Sequence, residues 1–215
     1  MNLFSYKLEH DYGLAPNPFG GIMSLAVCKS DIRKNKNLAI GDWIVGTGSV
    51  TMGNLNHLIY AMKVEKLITF DQYWESPEYE FKKPVLTGSL VQMYGDNFYH
   101  TDPKSKKPIQ EPCAHAHADA KKRQRHIDRD TSGKLVPLSK HFYYFGDQAP
   151  MIPTNLRQIC CQGRDFQYRK IPDKIKKEFI QWLESTFEPG IHGDPCNWKE
   201  YNLPKLDIYE DEEEK

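Results

Sequence analysis

Gly41–Ser49 reads GDWIVGTGS, and nine residues after it Leu58–Val64 reads LIYAMKV; together the two stretches decide the fold. Gly41-Asp42 is a turn that launches a strand over Trp43–Val45, and Gly46-Thr47-Gly48-Ser49 stops it. A small polar loop, Ser49–Asn56, leads to the second stretch. There Leu58, Tyr60, Met62 and Val64 alternate with Ile59, Ala61 and Lys63, the period of a strand, which predicts a central strand paired with the one carrying Trp43.

Working outward, Leu3–Leu8 sets Phe4, Tyr6 and Leu8 on one face and Ser5 and Lys7 on the other, a half-buried strand. Ile22–Cys28 is a second short apolar run, after which Ser30 is expected to cap a brief helix over Asp31–Asn35. Phe70–Trp74 reads as one helical turn capped near Thr69 or Asp71 and stopped by Pro77. Leu135–Phe145 resumes strand character. Asp173–Phe187 is the one long helix, with Ile175, Phe179, Trp182, Leu183 and Phe187 at spacings of three and four, Asp173 as its cap and Pro189-Gly190 as its end. Between Asp96 and Lys134 aliphatic residues are few and four of the eight histidines lie, which predicts a long charged loop over 100–134. The expected architecture is α+β: a strand-rich core with short helices and one C-terminal helix, in a single domain spanning 1–205, followed by an acidic tail at 206–215.

Composition bounds the function. The chain has 215 residues, 39% of them hydrophobic, with 12 Tyr, 10 Phe and 4 Trp to fill a core. No apolar run reaches membrane-spanning length, and MNLFSYKLEH lacks the layout of a secretory leader, so a cytoplasmic location is expected. The five cysteines, at 28, 113, 160, 161 and 196, show no paired spacing and read as reduced thiols. Net charge is zero, but Glu210–Lys215 holds five acids and one base, which leaves the body mildly basic. GxGxxG, GxxxxGK, GxSxG and HExxH are all absent, which removes the common nucleotide-fold and hydrolase signatures.

The chemistry concentrates in His10–Gly21, HDYGLAPNPFGG. Six of these twelve residues are Gly, Pro or Asn, yet the run also carries His10, Asp11, Tyr12 and Asn17. Two readings stay open: a shaped loop presenting polar groups, or a long connection between strands. Cys113, His115 and His117 alternate and, with His126 or Asp11, would make a transition-metal shell; the rival reading, a solvated His-rich loop, is preferred because no spacing is diagnostic. Lys82-Lys83 and Lys121–His126 are basic clusters suited to phosphate or to solvent.

HDYGLAPNPFGG, GDWIVGTGS, HLIYAMKVEKLITFDQYW, KKPVLTGSLVQMYGDNFYH and HFYYFGDQAPMIP together resemble the nucleotide modification associated domain family, second type, along most of the chain, from His10 to about Trp198. The resemblance implies a part in hypermodifying bases or handling modified nucleotides, as in the bacterial and phage members of that family. In place of a Ser-His-His-Ser element stands AHAHAD at Ala114–Asp119, so His115 and His117 match only loosely. The succession of a Gly-Asp turn, an aromatic strand, a polar loop, a second strand and a Phe-Asp-x-Tyr turn is also similar in layout to PUA-like barrels, relatives of which bind RNA or modified DNA bases; it implies a barrel-type core with Trp43 near the pocket mouth, against the plainer reading of a core tryptophan.

A base ligand needs flat aromatic faces and fixed donors and acceptors. The expected pocket lies between the Asp11–Gly21 loop, the Gly46–Ser49 loop and Asp96-Asn97. Asp11, His10, His115 and His117 are its candidate acid–base groups, and Tyr12, Asn17, Trp43, Thr47, Ser49, Lys83, Asp96, Asn97 and Tyr144 its candidate binding groups, with Tyr94 and Tyr99 as further stacking rings. The ligand class is a nucleotide or nucleic acid, DNA before RNA, with no cofactor named and no resident metal expected. Three functions follow: a base-modification protein, a non-catalytic reader of modified bases, or an interaction subunit of a modification or phage-defence system.

Overall fold

The computed structural model describes residues 1–163 and 165–201. Its centre is a six-stranded sheet in the order β10-β1-β3-β4-β9-β11. The strands are β1 (Leu3–Lys7), β3 (Trp43–Thr47), β4 (Leu58–Lys63), β9 (Phe142–Tyr144), β10 (Phe166–Gln167) and β11 (Gly190–Ile191). β3 and β4 pair antiparallel, as the Trp43 and Leu58 stretches predict, while β1 runs parallel to β3 with Leu3 opposite Trp43. β2 (Met23–Ser24), β8 (Leu135–Ser139) and β5 (Lys66–Thr69) form a second sheet, and β6 (Tyr99–Thr101) and β7 (Pro108–Gln110) a hairpin.

Both glycines of the Gly46-Thr47-Gly48 run are there for close approach. A Cβ on Gly46 would sit 2.2 Å from the Tyr60 ring and 2.5 Å from Leu8, and one on Gly48 would sit 2.2 Å from the carbonyl oxygen of Asn54. The β3–β4 register shifts at the same point.

β1 is not half-buried. Leu3 and Trp43 pack with Phe179 and Leu183 of α5 (Asp173–Thr186) on one face of the sheet, while Phe4, Tyr6, Ile44 and Tyr144 pack with Met23, Leu25 and Ile32 on the other. Because the sheet is covered on both sides, even Ser5 is fully buried, and its hydroxyl has no hydrogen-bond partner among the described residues. The sheet is also open. β10 and β11 are its two edges and, among the described residues, no barrel closes, so the barrel-type core implied by layout gives way to a mixed α/β arrangement of several sheets and short helices.

Three local expectations change. Residues 100–134 are not one loop: they hold the hairpin and α4 (Ala120–Thr131), a helix built from strong helix formers, with the Asp119 carboxylate accepting from the Lys122 N–H and only Ile127 and Asp130 buried. α5 begins after Pro172 without a side-chain cap, and Asp173 pairs with Lys176 at 2.9 Å instead. α1 (Ser30–Arg33) starts after Lys29, which takes the cap position without a side-chain hydrogen bond, so Ser30 is the first helical residue and not the cap. By contrast α2 (Phe70–Glu75) has the Thr69 cap in full, Thr69 and Gln72 exchanging side-chain and backbone hydrogen bonds. α3 (Leu90–Met93) is capped in the same way by Ser89 and Gln92.

Candidate functional site

A cleft of about 1180 Å³ opens beside β1, between the His10 loop, the chain from Cys28 through α1, the Ser49 loop and the C-terminal half of α4. Of the residues expected from sequence, His10, Tyr12, Ser49, Tyr94 and His115 line it. Tyr12 stacks on Tyr94, ring centroids 5.5 Å apart and planes 19° off parallel, and the Tyr94 hydroxyl meets that of Tyr201 at 2.6 Å. This makes an aromatic wall of the kind a planar ligand needs.

The charges around the cleft are mixed. Lys7, Lys29, Lys34 and Arg129 stand among Glu9, Asp31, Asp128 and Asp165, so no single-signed field is set up to hold a polyanion. Cys28 also lines the cleft, but burial pushes its thiol up to about 11, which leaves little thiolate near neutral pH.

His115 lies on the cleft wall with Nε2 3.4 Å from Oδ2 of the fully buried Asp130, an ion-pair separation without hydrogen-bond alignment. Asp130 also accepts from the Tyr99 hydroxyl and from Arg129 Nε, each at 3.1 Å. Burial opposes its ionisation, yet His115 and Arg129 hold its carboxyl below the usual range. His117, two residues on, is exposed, its ring meeting His126 edge-on and its carbonyl accepting from Arg123 Nε at 2.8 Å. Among the described residues no three His, Cys, Asp or Glu are grouped to hold a metal ion, so the alternating Cys113-His115-His117 shell does not assemble.

The remaining expected residues sit behind the cleft rather than on it. Asp11 is 3% exposed and accepts from the Tyr144 hydroxyl at 2.7 and 2.8 Å and from the N–H groups of Gly13 and Cys196. Burial raises its carboxyl above the ordinary carboxylate value, against the pull of Tyr144. Asn17 is equally sealed: its amide donates to the Tyr94 carbonyl and its Oδ1 accepts from Lys82 Nζ at 2.6 Å. Asp96 accepts from the Tyr73 hydroxyl at 2.7 Å, and Asn97 donates to the carbonyls of Tyr73 and Tyr79. Thr47 donates to the Tyr6 carbonyl, and Trp43 is a core residue stacked on Tyr143. Lys83 covers the ring of Trp74 at 4.0 Å, away from the cleft lining.

Sequence reading missed Tyr6, Lys29, Ser30 and Arg129 on the cleft and Asp130 behind it. The Lys29 ammonium lies 4.4 Å from the Tyr6 ring centroid, and Cys28 and Lys29 have φ of 57° and 40°, consecutive left-handed residues without a glycine. No pattern in the sequence signals such a backbone. Arg129 and Asp130 lie in the stretch read as loop; the Asp119 cap followed by Ala-Lys-Lys-Arg-Gln was the available sign of a helix there.

No helix among the described residues is long and apolar enough to cross a membrane, and all five cysteines are free. No curated protein and no solved structure matches the chain. One family model matches it across residues 1–202, covering the cleft and the sealed layer behind it, and by that match the chain belongs to the family nucleotide modification associated domain 2.

Proposed function

We propose that the chain takes a nucleotide, or a base flipped out of a DNA strand, into the cleft, with the base against the Tyr12–Tyr94 wall and its edge toward polar groups that include His10, Ser49 and His115. The family's tie to nucleotide modification supports a nucleotide-related role. The observation that carries the reading is the stacked tyrosine pair in the same cleft as two histidines and Lys29, whose ammonium lies against the Tyr6 ring. His10 and His115, whose ring nitrogens can each donate or accept a proton, are the candidate acid–base groups facing such a ligand, whereas Asp11 has no surface in the cleft. A second reading, recognition without turnover, is favoured by the raised Cys28 thiol, which denies the cleft an activated sulfur nucleophile.

The test is a native mass-spectrometry screen with deoxynucleosides, their 5′-monophosphates, and plain or modified oligonucleotides. Capture that is lost in Tyr12→Ala supports the cleft as the site. No capture, or capture indifferent to Tyr12→Ala, overturns it. Conversion of the captured species makes the protein an enzyme, and retention without conversion makes it a reader.

A further inference from the structure

We propose that Lys29, Ser30 and Arg129 form an oxyanion subsite for a single phosphate group of the nucleotide bound in this cleft, an inference that rests on the reading above. The Lys29 side chain is half-buried against Tyr6, and no carboxylate comes within ion-pair distance of it among the described residues. Glu9 and Asp165 attract it only at longer range, and burial lowers its pKa. An ammonium placed this way has given up hydration without gaining an anion, the state of a group that awaits one.

Ser30 adds an independent sign. It is only 6% exposed and lines the cleft, and at the first helical position, after the Lys29 cap, its hydroxyl makes no hydrogen bond among the described residues. Arg129 spends Nε on Asp130 and keeps its side chain half exposed on the cleft lining. Lys34 is not a comparable candidate, because Asp31 holds it at 2.6 Å. A hydroxyl, an ammonium and a planar guanidinium form a donor set suited to a tetrahedral oxyanion.

The four carboxylates around the same cleft set the charge of the ligand. They oppose a triphosphate chain, whereas a single phosphate asks only for the Lys29 ammonium and for the Arg129 guanidinium N–H groups that Asp130 leaves free. The shared chemistry is a single phosphate, either the 5′-phosphate of a free mononucleotide or one backbone phosphate of a strand whose base is flipped out.

The experiment is calorimetric titration of the full chain with inorganic phosphate, deoxynucleosides, their 5′-monophosphates and a short oligonucleotide lacking terminal phosphates. The monophosphate is expected to bind about ten- to a hundredfold more tightly than its nucleoside, and Lys29→Gln and Arg129→Gln each to remove about tenfold of that advantage while nucleoside affinity stays put. Ser30→Ala gives a smaller loss in the same direction. Tightest binding by the oligonucleotide, equally sensitive to Lys29→Gln, assigns the phosphate to a strand; tightest binding by the monophosphate assigns it to a free nucleotide. Equal affinity for monophosphate and nucleoside, or equal losses for both in the variants, overturns the subsite. Phosphate retention that depends on Lys29 and Arg129, with no nucleoside bound, keeps the subsite and overturns the nucleotide reading instead. Thermal melting of the two glutamine variants checks their folding, and each is read independently of the other.

Discussion

His10 and Tyr12 line the cleft while Asp11 between them is sealed behind it, bonded to Tyr144, Gly13 and Cys196. The same division separates Lys29 from Lys82: one ammonium lies on the cleft over an aromatic ring, the other is buried and donates to both the carbonyl and the side-chain oxygen of Asn17. Residue type does not separate the two regions. Partners do: Asp11, Asn17 and Lys82 in the sealed layer each hydrogen-bond to protein groups, whereas Lys29 has only the Tyr6 ring beside it and Ser30 makes no side-chain hydrogen bond among the described residues. Satisfied groups specify where the loop lies, and those on its outer side are the ones the proposed ligand would meet.

Removing Asp11 should break this division with the largest effect. Asp11→Ala leaves the Tyr144 hydroxyl and two N–H groups without an acceptor in a site closed to solvent, an expected loss of about 3–5 kcal/mol in urea unfolding. Asp11→Asn keeps one acceptor oxygen and should lose less than half of that. If Asp11→Asn instead retained full stability and lost ligand, Asp11 would belong with the cleft and the comparison would fail.

Lys82 sharpens the same contrast through pH. Burial brings its pKa down to about 8, below the ordinary lysine value that it regains on unfolding. Between the two values the unfolded chain holds more protons than the folded one, so this lysine makes stability rise with pH from about 8 to about 10.5, by roughly 3 kcal/mol at most. Lys82→Met lacks that rise. The stability difference between wild type and variant should therefore move in favour of wild type as pH is raised through this window in chemical denaturation, and a pH-independent difference would show Lys82 to be no more perturbed than a surface lysine.

Tyr12→Ala should show the opposite balance. Tyr12 is half-buried and its principal ring contact is Tyr94, so truncation should cost about 1 kcal/mol of stability while ligand affinity drops about tenfold, the usual range for one base–aromatic stack.

Much of the frame was legible because hydrophobic period and turn chemistry are local. Trp43–Thr47 against Leu58–Lys63, the Thr69 cap and the apolar stripe Phe179–Leu183 all follow from neighbours in sequence. The cleft was legible only in part. His10, Tyr12, Ser49, Tyr94 and His115 come together there, yet Asp11, Asn17, Asp96 and Asn97, polar residues beside turns in the sequence, lie in the interior because Tyr144, Lys82 and Tyr73 come from 23 to 133 residues away to meet them. Such pairings are set by topology. Lys29 stayed invisible for a related reason, since its left-handed backbone is imposed by tertiary packing at a position where local preference argues against it.

His115 and His117 put the comparison on its finest scale, two histidines one residue apart in AHAHAD. His117 is exposed, so His117→Ala should leave stability within about 0.5 kcal/mol of wild type and ligand capture unchanged. His115→Ala removes the contact that helps to hold the Asp130 carboxyl below its usual range, at an expected cost of about 1 kcal/mol near neutral pH. Because the folded pKa of Asp130 is depressed, its contribution is present in full above the unfolded aspartate value near 4 and is lost as pH falls through the folded value. The gap between wild type and His115→Ala should accordingly close below about pH 4, whereas the small gap for His117→Ala should not follow the titration of Asp130. A His115→Ala gap that persisted into strong acid would mean that the side chain matters for packing against Phe98 and His126 and not for its charge on Asp130, which would move His115 from the cleft's candidate groups to its scaffold.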